Sequence, residues 1–257
     1  MINKMLIKRI YTVFSIFSIS ILFAQDVSPA GAQIIDEMTA IMSQDASKAL
    51  IQQVITTSSG RERTFEFEMF TADEGEKTLM RYLKPSAAKG QAFLMLNNAD
   101  DIWTYFPRTK RVRKLASSSK NQKVQGSDFS YEDLGSGDTW KNEYVSTNLG
   151  REKYVGEDCW EVESIGIPEK DPAYPKMIVL VRQSDFYPLS IDYYDDNGNI
   201  EKTLILSNIE IVEGIPTALK MQMVNHAEGS ATLMKTISIT YDWTPPDNFF
   251  SERTLRK

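Results

Sequence analysis

Cysteine and histidine are almost missing from this chain: Cys159 and His226 are the sole examples in 257 residues. A lone cysteine cannot close an intramolecular disulfide, so stability must come from packing. The same scarcity leaves no Cys/His spacing for a zinc site. His226 has no Ser or Cys motif near it and ends a strand pattern beside a Glu-Gly turn, which is where surface residues sit. Also lacking are a phosphate-cradling glycine loop and a nucleophile elbow. No catalytic residue, metal or cofactor is therefore assigned, and the chain reads as a non-enzyme. Positive charge is in the minority, with 29 Lys and Arg against 35 Asp and Glu and a net charge of −6. That balance argues against nucleic acid as a partner, because phosphate binding needs a net basic face.

The one long apolar run lies at the N-terminus. Lys4, Lys8 and Arg9 precede an uncharged stretch from Ile10 to Phe23, and Ala24 comes before the polar Gln25-Asp26. A basic end, a short apolar core and a small residue at the cut make a secretory signal. The run is about 14 residues, within the roughly 7–15 of a signal core and short of the ~20 that span a bilayer. Leu22 is an imperfect residue two positions before the cut, and an uncleaved anchor is the alternative. No cysteine lies near the cut, so the signal is not of the kind that leads to lipid attachment. Residues 1–24 are expected to be removed, which takes the net charge from −6 to −9 and leaves 25–257 as one soluble periplasmic domain.

Within that domain one amphipathic helix stands out. Ser28-Pro29 supplies a cap and a first-turn proline, and Ile34, Ile35, Met38, Ile41 and Met42 recur at helical spacing, with Asp36, Glu37 and Thr39 on the other side. Such a stripe serves equally as an ordinary core helix or as a lid over a removable apolar surface. After about residue 60 the period becomes two. Phe65, Phe67 and Met69 alternate with Thr64, Glu66 and Glu68, and Leu219, Met221 and Met223 with Ala218, Lys220 and Gln222. Leu233, Ile237 and Ile239 repeat the pattern, interrupted by Lys235. Turns at Asp73-Glu74-Gly75, Asn97–Asp100, Asp195–Gly198, Glu213-Gly214 and Glu228-Gly229 separate the strands, Asn197-Gly198 being the strongest hairpin signal. Strands this close leave no room for parallel crossovers, so the sheet is expected to be an antiparallel meander with one wet and one dry face. Many strands in one sheet curl, and the dry side then lines either a packed core or a cavity. Met177–Val181, apolar throughout, is expected to be covered on both faces. Ala116–Asp138, rich in Ser and Gly, reads as a long connection inside the domain.

Three charged segments invite a chemical reading. Asp195, Asn197 and Asn199 mimic the start of a calcium loop, but Ile200 stands where glycine is required, and a hairpin turn explains them better. Asp128, Glu132 and Asp133 lie close enough to hold a divalent ion. A capped turn, with Ser127 or Asp128 bonding a nearby N–H and Phe129 and Leu134 packing inward, is the plainer account. Arg108, Lys110, Arg111, Arg113 and Lys114 form a basic run. They fit a guarded strand edge, or a patch for anionic headgroups or an acidic partner worth up to ~1 kcal/mol per charge.

The run Asp101–Arg108, the basic segment to Lys114, Ser117-Ser118-Ser119 and above all Gly126-Ser127-Asp128-Phe129-Ser130-Tyr131-Glu132-Asp133-Leu134 resemble the outer-membrane lipoprotein-sorting protein family of the LolA/LolB-like superfamily. Lys84-Pro85, Lys89-Gly90 and the C-terminal Pro245–Phe250 also fit. The resemblance implies a mainly β fold: an open, half-closed antiparallel barrel with a helical lid, whose cavity shelters acyl chains of lipoproteins or other lipids between membranes. Cavity candidates from alternation are Phe65, Phe67, Met69, Leu219, Met221 and Met223; lid candidates are Ile34, Ile35, Met38, Ile41 and Met42. The implied partners are a lipid or lipoprotein cargo, an inner-membrane exporter and transient membrane contact. Two rival functions remain: a non-catalytic interaction module with a packed sheet, and an envelope-lipid hydrolase using the acidic segment. The signal carries its own test. N-terminal sequencing of the exported protein should begin close to Gln25, whereas an intact Met1 in a membrane pellet would refute cleavage.

Overall fold

The computed structural model describes residues 28–135 and 139–257; the expected signal at 1–24 lies outside them. Helix α1 (Gly31–Met42) leads into β1 (Ala46–Thr56), β2 (Glu62–Ala72), β3 (Lys77–Lys84), β4 (Ala92–Leu96), β5 (Asp101–Phe106) and β6 (Arg111–Lys114). Two short helices, α2 (Tyr131–Gly135) and α3 (Trp140–Glu143), precede β7 (Tyr144–Tyr154), β8 (Glu157–Gly166), β9 (Lys176–Arg182) and β10 (Pro188–Tyr194). Then come β11 (Ile200–Val212), β12 (Ile215–Asn225), β13 (Ser230–Thr240) and α4 (Glu252–Leu255).

Among the described residues thirteen strands form one antiparallel sheet in the order β6-β5-β4-β3-β2-β1-β13-β12-β11-β10-β9-β8-β7. Two meanders, β1–β6 and β7–β13, are therefore joined where β1 pairs with β13, with Ala49 opposite Ile239 and Val54 opposite Leu233. The sheet curls without closing, an open half-barrel with a helical lid. Its edges are β6 and β7, which are consecutive in the chain. The connection between them has no path along the sheet and runs across the concave side.

Alternation sets the faces. Phe65 and Phe67 point inward beside Ile51, Met80, Tyr82 and Phe93, while Glu66 and Glu68 face the other way and meet Lys84 and Lys48 at 2.9 and 3.9 Å. The crossing segment adds Val124, Phe129 and Tyr131 to the same interior. On the convex side of β2–β5, Phe70, Leu79 and Leu94 would be bare without the C-terminal tail. Trp243, Phe249, Phe250 and Leu255 pack there, with the Phe70 and Phe249 rings 4.9 Å apart. The Asn-Gly hairpin forms as the residues require: Asp195 Oδ1 accepts the N–H groups of Asn197 and Asn199 at 2.9 and 2.8 Å, and Gly198 takes a positive φ of 78°.

Four local expectations need correction. Helix α1 starts at Gly31 with Ala30 as its N-cap and no side-chain cap, so Ser28 and Pro29 do not open it. Ser28 Oγ and the Pro29 carbonyl instead accept Asn148 Nδ2 at 2.9 and 2.8 Å, tying the segment to β7. Thr39 is buried, because its hydroxyl donates to the Ile35 carbonyl at 2.8 Å and needs no water. Leu233, Ile237 and Ile239 do not share a face. Leu50 pairs with Ser238 but Ile51 with Thr236, so Ile237 is an extra bulged residue that changes the face and stands 56 % exposed. In β9, Met177, Val179 and Val181 are buried, whereas Ile178 and Leu180 are half-buried, so only one face is fully covered.

Gly31 lets α1 approach the sheet edge. A Cβ there would lie 2.6 Å from the Ser146 carbonyl oxygen and from Thr147 backbone atoms, closer than any real contact. Gly31→Ala is expected to lift the start of α1 and cost about 1–3 kcal/mol. Hydrogen exchange should show faster opening of α1 while β1 and β2 stay protected; unchanged α1 protection would refute the close docking.

Candidate functional site

The crossing segment is fixed by two aspartates whose side chains are buried, each answered by a strand. Asp128 Oδ2 accepts the Thr232 hydroxyl at 2.7 Å and Oδ1 the Ser230 hydroxyl at 2.5 Å; the Asp128 N–H donates to Thr232 Oγ1 at 2.9 Å. Lys123 Nζ stands 3.3 Å from the same carboxylate. Asp133 closes a reciprocal cap with Ser130. The Ser130 N–H donates to Asp133 Oδ2 at 2.7 Å, and the Asp133 N–H to Ser130 Oγ at 3.0 Å. Its carboxylate also lies 3.2 Å from Lys202 Nζ on β11 and accepts the Tyr174 hydroxyl at 2.9 Å. Lys202 in turn sits over the rings of Tyr174 and Tyr193, 5.0 and 5.9 Å from their centroids. The expected capped turn is present: Ser127 Oγ accepts the Phe129 N–H at 3.3 Å, Ser130 adds the reciprocal cap, and Asp128 is an anchor to β13. Among the described residues no acidic or Cys/His group has metal-binding geometry.

A cavity of about 430 Å³ remains between the end of α1 and this network. Its apolar wall includes Met38, Met42, Met69, Met177, Leu204 and Ile239, drawn from α1 and from strands on both sides of the β1–β13 joint. The same lining also carries aromatic and acidic residues: Trp140, Tyr144, Tyr174 and Tyr193, with Glu74, Glu132, Asp133 and Glu143, and Tyr193 is the cross-strand partner of Met177. No Lys or Arg is among the described residues that line it. Glu132 is only 6 % exposed, and its Oε2 has no hydrogen-bond partner. Burial, opposed by Lys120 and reinforced by Glu143, Asp133 and Asp100, raises its pKa from 4.5 to about 7. Burial likewise raises the Glu143 carboxyl, and the Tyr174 phenol is pushed far up by burial and then by Asp133.

The alternation candidates divide between core and cavity. Met69 lines the cavity. Phe65, Phe67 and Met223 lie in the packed interior, and Met221 packs against it. Leu219 is half-buried and outside every apolar cluster. In α1, Ile34, Ile35 and Met38 are buried and Ile41 packs on the Tyr187–Leu206–Ala218 group; Met42, 47 % exposed, stands at the cavity mouth. Arg108, Lys110, Arg111, Arg113 and Lys114 are all exposed, on edge strand β6 and the turn before it. Lys114 pairs with Asp101 at 2.5 Å and covers Trp103, and that bond leads the lowering of the Asp101 pKa. Cys159 is buried and His226 exposed, its Nε2 2.8 Å from Thr203 Oγ1. Sequence reasoning missed Trp140, Tyr144, Tyr174, Tyr193 and Lys202, because β11 and β10 meet α2 and α3 only through the order of the sheet.

Known proteins share this fold. The model of a DUF1329-like family of uncharacterized proteins matches residues 74–257. The chain belongs to that family. A solved outer membrane lipoprotein-sorting protein domain from Vibrio parahaemolyticus is 28 % identical with a TM-score of 0.80, covering 88 % of this chain and 98 % of its own. A DUF1329 family protein from Desulfovibrio piger is 26 % identical with a TM-score of 0.79, covering 88 % and 97 %. A LolA superfamily protein from Nitrosomonas europaea, 20 % identical with a TM-score of 0.73, covers 88 % and 100 % and shares the fold. Comparison with curated proteins finds no match. No helix among the described residues is long and apolar enough to cross a membrane.

Glu132 makes stability depend on pH. Its folded pKa of about 7 lies above the unfolded value near 4.5, so the native state holds the extra proton between them and stability falls as pH rises through that window. Glu132→Gln should stabilise the protein at pH 8 by roughly 1–2 kcal/mol, after allowing for solvent screening, and by nothing below about pH 5. Thermal melts across that range check it; a gap that widens toward acid would show the sign to be wrong.

Proposed function

We infer that this protein is a non-catalytic carrier, holding acyl chains of a lipoprotein or other envelope lipid in the cavity beneath α1 while they pass toward the outer membrane. The methionine-rich wall carries the reading. A cavity of about 430 Å³ is in the ~300–1,000 Å³ range of small-molecule sites, and four of its wall residues are flexible thioethers suited to an irregular apolar guest. Ten methylenes moved out of water would gain about 8 kcal/mol before the cost of ordering the chain. Binding of this kind needs no reactive group. The 28 % identical Vibrio domain, described as lipoprotein-sorting, supports the same role.

In this reading Met38, Met42 and Met69 contact the acyl chain, α1 is the movable cover, and Phe65, Phe67 and Met223 form the rigid floor. The exposed cations of β6 and the preceding turn meet anionic headgroups or an exporter at the inner membrane. The mature chain works in the periplasm after loss of residues 1–24.

Floor and wall respond differently to truncation. Phe67→Ala should cost about 3–5 kcal/mol, because a fully packed site is emptied. Met69→Ala should cost only ~1–2 kcal/mol yet weaken binding of a fluorescent fatty-acyl probe several-fold. Glu66→Ala, on the opposite face, should alter neither. Thermal melts and probe titrations on the same delipidated variants decide the matter. Probe affinity unaffected in a folded Met69→Ala and in a folded Met38→Asp would leave the interaction-module reading as the better one.

A further inference from the structure

One end of the cavity is built for a charge that the acyl chain does not supply. The geometry points to a cargo whose polar end bears an ammonium group, held by Glu132 with Glu143 against the Trp140 and Tyr144 rings. This rests on the carrier reading and specifies the ligand class of the same cavity.

Three observations lead there. Glu132 is buried, lines the cavity, and has one carboxylate oxygen with no hydrogen-bond partner. The other oxygen is 3.7 Å from Lys120 Nζ, a long and incomplete pairing. A buried carboxylate in that state is costly, and an incoming N–H donor with positive charge would offset the cost where a phosphate or carboxylate would add to it. The surrounding charge agrees in sign, since Glu74, Asp133 and Glu143 line the same space and no basic residue among the described ones does.

The chain also demonstrates the recognition chemistry on itself. The Lys202 ammonium is received a few residues away by a carboxylate, Asp133, at 3.2 Å and by the faces of Tyr174 and Tyr193. Glu132 and Glu143, with Trp140 and Tyr144 at 6.1 Å between ring centroids, are the same ingredients: carboxylate and electron-rich aromatic faces. Both glutamates also act electrostatically on the Tyr144 phenol, which places the four groups in one neighbourhood. Asp133 is satisfied by Lys202 and Tyr174; Glu132 has Lys120 beside one oxygen and no partner on the other. An amphiphile entering tail-first along the methionine wall would leave its head beside these groups.

The test uses two lysolipids of one acyl chain, lysophosphatidylethanolamine and lysophosphatidylglycerol, which differ in the ammonium. Titrated calorimetrically into the delipidated protein at pH 8, the ethanolamine lipid should bind about ten-fold more tightly, the scale of one buried charge-assisted hydrogen bond. Glu132→Gln should reduce the ratio to within about two-fold without weakening the glycerol lipid, and Glu143→Gln should reduce it part-way. Equal affinities in the unmodified protein would overturn the headgroup assignment and leave the carrier reading standing. A preference that survives in Glu132→Gln would overturn the assignment to this residue. If neither lipid binds, the carrier reading fails and the inference falls with it.

Discussion

The two edges of the sheet are consecutive in the chain, and this single topological fact shapes the rest. Strands β6 and β7 lie twelve neighbours apart in the sheet order but are joined directly by residues 115–143. A segment of that length crossing an apolar concave face carries backbone N–H and C=O groups into the interior, where each needs a partner. The partners come from the segment's own turns and from strand side chains. Gly126 O accepts Arg63 from β2, Asp128 meets Thr232 and Ser230 on β13, and Asp133 meets Lys202 on β11. The crossing is thus stitched at intervals from one meander to the other. Where Val124, Phe129 and Tyr131 press onto the sheet, the half-barrel is filled; beside Glu132 and Asp133, space is left under α1.

Polar anchoring and apolar packing serve different ends in this arrangement. Leaving Lys202 without Asp133 would strand a buried charge, which is why such a pair fixes a position even when its net stabilisation is small. The apolar floor supplies the energy, and the paired aspartates decide where the crossing segment lies on it. The cavity inherits both properties. Part of its lining belongs to the core, and part to the network that locates the segment.

Much of this was legible in the sequence, and the reasons are local. The stripe Ile34, Ile35, Met38, Ile41, Met42, the alternation of Phe65 and Phe67 with Glu66 and Glu68, and the Asn197-Gly198 turn each depend on periods of a few residues. The helix start was misplaced because proline occupies several pre-helical positions equally well. The β13 face was misassigned because one bulged residue, Ile237, reverses parity and leaves no mark in composition. Residues 116–138 could be recognised as a connection, but not as an interior one, since that depends on β1 pairing with β13. For the same reason Glu132, Trp140, Tyr174 and Tyr193 gave no sign of sharing a wall.

The β1–β13 pairing also sets the order in which the molecule can be completed. Lys48 lies opposite Thr240, so the strand that closes the middle of the sheet follows the other twelve described strands in the chain. A chain that emerges from its N-terminus must keep one side of β1 unpaired until Ser230–Thr240 is available. Neither meander can be locked to the other before then. Contacts of such long sequence separation form slowly. The fold therefore has its seam at its centre, and a chain interrupted anywhere before β13 is left with an open edge along β1.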